Sequence, residues 1–348
     1  MLTAGRLDEI LSRFGDCRIA VLGDFFLDRY WDINPDWEEL SVETGLPAYQ
    51  VAAVRCSPGA AGTVVANLAS LGAGRLDAIG FTGDDGEGFE LRRGLKELNC
   101  NIDQLHTAAD RFTPTYTKPR DVNEPGLAGE HSRLDTKNRR ATPEDIEQAV
   151  IESLSAIVSD FDAVIVLDQV EATGCGVVTE QVRLHLGNVA KAHPDVIFWA
   201  DSRRHVDQFE NMIIKPNEFE TIGRTDPQPG EVVGVDQLQE HAQQLHEQTG
   251  RPVFITRGAG GMSVFDADWH DVPGVNVAGE IDTTGAGDSV TAGCVLALCS
   301  GASPVEAAVI GNLVASLTVQ QLAVTGTATC EQLPPRLEMW REQNGMID

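Results

Sequence analysis

A chain of 348 residues with 42% hydrophobic residues is long enough to bury a large core as one main domain with a small appendage. Its formal charge of -27 and sequence pI of 4.5 argue against nonspecific binding to nucleic acid or to an anionic membrane, since both need basic surface. A polyphosphate ligand would have to be met by a few well-placed cations or by a recruited metal, for which Mg²⁺ is the natural expectation.

From the N-terminus, an amphipathic helical pattern leads into a strand, with no long apolar signal core, and no apolar run in the chain reaches the length of a membrane span. Seven dispersed cysteines, at Cys17, Cys56, Cys100, Cys175, Cys294, Cys299 and Cys330, include no C-x-x-C pair and read as reduced thiols, so a cytoplasmic protein is expected. Short apolar runs at Arg18–Leu22, Ala78–Phe81, Ala163–Leu167, Val196–Ala200, Met212–Lys215 and Val253–Thr256 read as buried strands of a mostly parallel sheet. Helical patterns lie between them at Ala61–Leu71, Gly88–Leu98, Pro143–Val158, Thr179–Ala192 and Val235–Gln248. Thr142, ahead of Pro143, Glu144 and Asp145, reads as a helix cap. The alternation indicates a doubly wound α/β sandwich over residues 1–348.

Two stretches break the pattern: Tyr30–Arg55 and Arg111–Arg133 are rich in Thr, Tyr, Trp and Val rather than helix formers. Paired into a small sheet over the carboxyl ends of the main strands, they would form a lid that excludes water; as separate pieces they would be two surface hairpins. Lys118, Arg120 and Arg133 on the second stretch suit a phosphorylated ligand, or else are the charges of a solvated edge strand.

Near the C-terminal end, Asp282-Thr283-Thr284-Gly285-Ala286-Gly287-Asp288-Ser289 joins a glycine turn, a carboxylate and a helix start, because Val290–Leu298 reads as a buried helix. The amides of Gly285, Ala286 and Gly287 can form an anion-binding nest at the positive end of that helix, with Asp288 at its edge to take a proton from an attacking hydroxyl. A capped βα turn would look similar. A dinucleotide fold would need a third glycine where Val290 stands, and no P-loop is present. The histidines show no zinc-ligand spacing.

These motifs resemble the ribokinase/PfkB family of carbohydrate kinases over nearly the full length. The late D-T-x-G-A-G-D run is Asp282–Asp288, the early glycine element is Pro58-Gly59 before the helix at 61–71, and the internal N-x-x-E is Asn217–Glu220. Within the family, Gly23-Asp24, Leu27–Trp31, Thr115–Arg120 and Arg133-Leu134-Asp135 are most similar to kinases of heptose 7-phosphate. The resemblance implies a ribokinase-like doubly wound sheet with a β lid, and ATP-dependent phosphorylation of a sugar or sugar phosphate. It implies Asp288 as base and Gly285–Gly287 as anion hole. Asn217 and Glu220 would organise Mg²⁺, although the same pair also reads as a helix capping box. Thr256, Arg257, Gly258, Gly261 and Asn312 are implied nucleotide contacts, as is the segment 324–327.

For the acceptor, the resemblance points to Asp28 assisted by Asp24, and to Gly59, Thr63, Lys118, Arg133 and Asp168. Two positions depart from the pattern: Thr63 stands where relatives commonly have Asn, and Glu171 stands near the expected lysine after Asp168. The run Asp201–His205 offers alternative cations at a strand end. A monovalent cation near Asp282 and homodimerisation through the lid are further expectations of the family. With no H-x-G-H of a nucleotidylyltransferase in the sequence, the expectation is a stand-alone kinase. A noncatalytic sugar or nucleotide sensor remains an alternative, as does a nucleoside kinase using Trp31, Trp37 or Tyr49 against a base.

Overall fold

The computed structural model of the chain describes residues 2–224, 226–228 and 230–346. The first helix, α1 (Ala4–Leu11), starts where the Thr3 side chain accepts the Arg6 N–H, and it leads to strand β1 (Arg18–Gly23). Next come β2 (Phe25–Ile33), the short hairpin β3 (Glu39–Leu40) and β4 (Pro47–Ala48), and β5 (Val51–Ala60). The chain then alternates through α2 (Ala61–Ser70), β6 (Arg75–Gly83), α3 (Gly86–Glu97) and β7 (Cys100–Ala108). Strands β8 (Thr115–Asp121) and β9 (Leu134–Thr136) are followed by α4 (Glu144–Ile157), β10 (Ala163–Asp168), α5 (Glu180–Ala192) and β11 (Ile197–Ser202). After β12 (Ile213–Ile214) come α6 (Glu218–Thr221), α7 (Val235–Thr249), β13 (Val253–Thr256), β14 (Met262–Asp266) and β15 (Asp268–Val272). Three helices close the fold: α8 (Ala286–Cys299), α9 (Pro304–Thr318) and α10 (Leu333–Gln343).

Among the described residues, nine strands form one sheet in the order β15-β14-β13-β12-β11-β10-β1-β6-β7, parallel from β13 to β7 and antiparallel at β14 and β15. Side chains alternate across it. In β1, Ile19 and Val21 enter the core shared with α2, α8 and α9, while Ala20 and Leu22 enter the opposite core shared with α4, α5 and α7. Burial on both faces explains why the central strands read as unbroken apolar runs. Chain order reverses between β1 and β10, the place in such sheets where a crevice opens at the carboxyl ends of the strands.

That crevice is built by close approach and by one buried acid. A side chain at Gly23 would put its Cβ 2.2 Å from the Leu167 carbonyl oxygen, so only glycine lets the ends of β1 and β10 meet there. The next residue, Asp24, is buried, and its carboxylate accepts N–H bonds from Gln169 (2.8 Å), Val170 (2.9 Å) and Val177 (2.7 Å). It therefore clamps the loop after β10. Burial, joined by the charge of Asp168, pushes the Asp24 carboxyl up to about 6 despite those three donors.

A second sheet, β5-β2-β8-β9, lies beside the first. It is assembled from the two separated segments expected, but β2 begins at Phe25 and β5 runs to Ala60, beyond the 30–55 boundaries, and β9 lies past 133. The inner ends of β2 and β5 are apolar or small and largely buried, so their sequence matched the core rather than an insertion, whereas β9 is exposed. A further difference concerns α4. Thr142 does not cap it, because its hydroxyl donates to the Gly176 carbonyl at 2.7 Å and Pro143 takes the position before the helix.

Candidate active site

Helix α8 starts on the glycine turn. Gly285 has φ +76°, a left-handed conformation that a side chain would strain, and its Cβ would also stand 3.2 Å from the Thr63 methyl. The first helical bond runs from the Ser289 N–H to the Gly285 carbonyl at 2.9 Å, so the amides of Gly287 and Asp288 belong to a first turn without intrahelical acceptors. One member of the expected nest differs: the Ala286 N–H already donates to the Thr283 carbonyl at 3.2 Å. Residues Ser289–Ala297 are buried, which leaves the positive end of α8 as its polar outlet.

In front of this turn lies a cavity of about 120 Å³. Asp288, Gly285, Asp28, Lys118 and Arg133 line it, together with Thr63, Gln169, Arg203 and Thr325. Strand β2 delivers Asp28, and glycine is needed at 59 because a Cβ there would meet the Asp28 carboxylate at 2.9 Å. Asp28 is fixed by Lys118 Nζ at 3.2 Å and by the Thr325 hydroxyl at 3.4 Å. Lys118 also donates to the Tyr30 hydroxyl at 3.2 Å; burial opposes its charge, but Asp28 and Tyr30 hold its pKa above that of an ordinary lysine. Arg133 pairs with Asp135 at 2.6 Å and lies 4.0 Å from the Tyr116 ring centre.

Behind the turn is a buried charge cluster. Lys215, one residue past β12, places Nζ 2.9 Å from Asp201 at the end of β11, and a Cβ on Gly287 would lie 3.4 Å from the same nitrogen. Burial works against the Lys215 charge, yet Asp201, Glu220 and Asp288 together keep its pKa raised. Burial and the nearby Asp201 charge push Asp288 up to about 7, against the opposing pull of Lys215 and Arg203. Glu220 is pushed up to about 7 by the same two causes, although it accepts the Asn217 N–H at 2.7 Å.

Asn217 and Glu220 form the capping box of α6: the Asn217 side chain accepts the Phe219 and Glu220 N–H groups, both at 2.9 Å. Among the described residues, no group of three or more His, Cys, Asp or Glu side chains converges as a metal cage. Thr256 ends β13 with its N–H on the Pro216 carbonyl, and the 258–261 turn follows, where a Cβ on Gly261 would collide with the Val272 carbonyl at 2.3 Å. Arg257 is held between Glu218 and Asp271, each at 3.2 Å. Asn312 donates to the carbonyls of Val272 (3.1 Å) and Pro273 (3.2 Å), fixing the end of β15 against α9.

A family model described as pfkB family carbohydrate kinase matches residues 26–330. The chain belongs to that family. Among curated relatives, this pfkB kinase is 29% identical to the bifunctional protein HldE of Gluconobacter oxydans over 96% of the chain and 67% of the relative. It is 30% identical to HldE of Mesorhizobium japonicum over 94% of the chain and 63% of that protein, so it spans about two thirds of the length of such relatives. Its fold is similar to Escherichia coli phosphofructokinase-2 in complex with potassium (TM-score 0.70, 19% identity, 94% of this chain and 99% of that one). It is also similar to Arabidopsis thaliana ribokinase complexed with ribose and ATP (TM-score 0.63, 18% identity, 93% and 99%). The fold is therefore ribokinase-like.

The structure of this pfkB kinase gathers Asp288, Gly285, Asp28, Thr63, Lys118 and Arg133 at one cavity, and it leaves Gly59 beneath Asp28. Two residues expected to touch the acceptor face elsewhere. Asp24 is consumed by its three backbone donors, and Asp168 accepts from Ser202 and His205. Lys215 and Asp201 carried no assignment as a site pair, although a charged residue ending an apolar strand was the available signal. If Asp288 takes the acceptor's proton, only its ionised form can do so, and kcat/KM for the acceptor should rise with pH through a limb near 7 and level off above it. An acid limb near ~4, the ordinary carboxylate range, would contradict a buried base.

Proposed function

We propose that this carbohydrate kinase transfers the γ-phosphoryl group of ATP to a hydroxyl of a sugar or sugar phosphate, with Asp288 as general base. The carrying observation is the single cavity that joins Asp28, Asp288 and the first turn of α8. Asp28 can accept hydrogen bonds from two neighbouring hydroxyls and so orient a polyol. The hydroxyl directed at Asp288 loses its proton to that carboxylate as it attacks, and the Gly287 amide with the positive end of α8 stabilises charge on the phosphoryl oxygens. Lys118 and Arg133 in the same cavity favour an acceptor that already bears an anionic group, as the sequence resemblance to heptose 7-phosphate kinases also suggests.

The nucleotide would lie along the ends of β13, β14 and β15, against the 258–261 turn, with Thr256, Arg257 and Asn312 as its neighbours. Mg²⁺ fits Glu220 with Asn217 beside it: one carboxylate next to substrate phosphates is a usual hold for this ion, and an adjacent dication would ionise a carboxyl now poised near 7. Bound there, the ion would neutralise phosphate charge. A monovalent cation near Asp282 would rest on backbone carbonyls, because the Asp282 oxygens accept the Thr284 N–H at 2.9 Å and the Ala323 N–H at 3.3 Å. Free cysteines and a need for ATP suit the cytoplasm, and among the described residues no helix is long and apolar enough to cross a membrane.

An ATP-consumption screen over sugars, sugar phosphates and nucleosides with Mg²⁺ tests the reading. Turnover is expected with a sugar or sugar phosphate, and Asp288→Asn should lower kcat by about 10²–10⁴-fold with ATP affinity nearly kept. Turnover only with nucleosides, or a mutant of normal kcat, would overturn it.

The second sheet supports homodimerisation. Val54 on its strand β5 is exposed, as are Leu40, Val42, Leu46 and Tyr49 of the separate β3–β4 hairpin and its flanks, with Val42 97% and Val54 57% accessible, apolar surface of the kind that marks a subunit contact. Sedimentation should find a dimer that Val54→Asp dissociates; a wild-type monomer at micromolar concentration would contradict this.

A further inference from the structure

Among the described residues, Arg203 alone lines both the acceptor cavity and a neighbouring groove of about 280 Å³ onto which Glu220 opens. The first space holds Asp28, Asp288 and Gly285. The second holds the acid that would stand beside the nucleotide's metal. Arg203 therefore stands between the acceptor cavity and the acid proposed beside the nucleotide's metal, within reach of a group passing between them. The other cations near it already have acidic partners: Lys215 pairs with Asp201 at 2.9 Å, Lys118 with Asp28 at 3.2 Å and Arg133 with Asp135 at 2.6 Å, while Glu220 and Asp288 add further acid. A phosphoryl group carrying its own negative charge would be repelled without another cation.

The Arg203 side chain is poised for that task. Its Nε donates to the Gln169 side chain at 2.8 Å, and Nη1 stops 3.8 Å from Glu171, so the two ends of the guanidinium have unequal holds. The loop beneath it is fixed by one buried acid. Asp168 accepts the Ser202 hydroxyl at 2.7 Å and faces His205 Nδ1 at 2.9 Å, while its carbonyl accepts the Arg203 N–H at 3.1 Å. The His205 N–H in turn donates to the Ser202 hydroxyl at 2.9 Å. Asp168 thus grips the chain on both sides of Arg203.

We propose that Arg203 is the catalytic cation that meets the transferring phosphoryl group between nucleotide and acceptor, and that Asp168, through Ser202 and His205, is the positioning residue for it. The inference rests on the kinase reading above. In the step, the acceptor oxygen bonds to the γ-phosphorus as the bond from phosphorus to the β,γ-bridging oxygen breaks. The hydroxyl proton passes to Asp288 and the electron pair of the broken bond leaves with ADP. Arg203 undergoes no covalent change; its planar donors offset charge on the phosphoryl oxygens, strongest in the transition state.

The test uses the full chain with Mg·ATP and whichever sugar or sugar phosphate turns over fastest, comparing Arg203→Ala, Arg203→Lys and Asp168→Asn. For Arg203→Ala, kcat should fall by about 10²–10³-fold with KM for ATP changed only a few-fold, and added guanidinium ion should restore part of the rate. Arg203→Lys should fall between, because an ammonium keeps the charge without the fork. Asp168→Asn should lose roughly tenfold in kcat with no rescue by guanidinium, since its own arginine is present but misplaced. Three results would overturn the inference: a folded Arg203→Ala with nearly wild-type kcat, a loss that guanidinium leaves untouched, or a rise in acceptor KM alone. Wild-type protein that phosphorylates no acceptor would instead defeat the kinase reading, and Arg203's role would fall with it.

Discussion

Lys215 stands just beyond β12 with its ammonium 2.9 Å from Asp201 and almost no contact with solvent, and the ionisable groups of the site are arranged around the charge it supplies. Three acids face it. Without that ammonium, Asp201, Glu220 and Asp288 would share one buried region as a set of like charges, and the repulsion would drive them toward the neutral form. With it, Asp288 and Glu220 are each held near 7, poised between the two states. Removing one partner of so buried a pair typically costs about 3–5 kcal/mol, because the remaining charge is left uncompensated. The cluster thus links stability and proton chemistry in one place. Its acids also explain why positive charge from outside, on Arg203 or on a metal, would matter when a phosphoryl group arrives.

The fold brings these groups together by geometry that begins far from them in sequence. Parallel strands β1, β10, β11 and β12 end at a common edge, so residues 24, 168, 201 and 215 become neighbours there. Asp24 fastens the loop after β10, and Asp168 fastens the loop after β11. The Asp24 carboxylate is spent on backbone N–H groups and that of Asp168 on the Ser202 and His205 side chains, which leaves Asp28, from the second sheet, to face the ligand. Two acids four residues apart therefore have different work: Asp24 accepts only from the main chain, whereas Asp28 opens onto a cavity with Lys118 and Thr325.

Much of this was legible in the sequence wherever the signal was local. Apolar runs located the central strands because both faces of the main sheet are buried, and the Asp282–Asp288 run located the turn because Gly285 allows its left-handed backbone. Strand β7 was missed because it lies at the sheet edge, where partial exposure from Asn101 to Thr107 breaks the apolar run. The role of Asp168 was misjudged for a different reason: position at a strand end suggested a ligand contact, while the partners that claim it, Ser202 and His205, lie 34 and 37 residues away. Lys215 is the same case in reverse. Its buried partner Asp201 closes another strand, and no spacing along the chain announces that the two are adjacent.

The central claim is that one cavity, bounded by Asp28 and the start of α8, is where the phosphoryl group changes hands. The most direct measurement is a crystal structure with Mg²⁺, an ATP analogue whose γ-phosphate cannot be transferred, and the accepted sugar. The account predicts a γ-phosphate oxygen accepting the Gly287 N–H and facing Arg203, with an acceptor hydroxyl beside Asp288 and about 3–3.5 Å from the γ-phosphorus. A γ-phosphate bound away from the first turn of α8, or an acceptor held by Asp28 with no hydroxyl reaching Asp288, would contradict it.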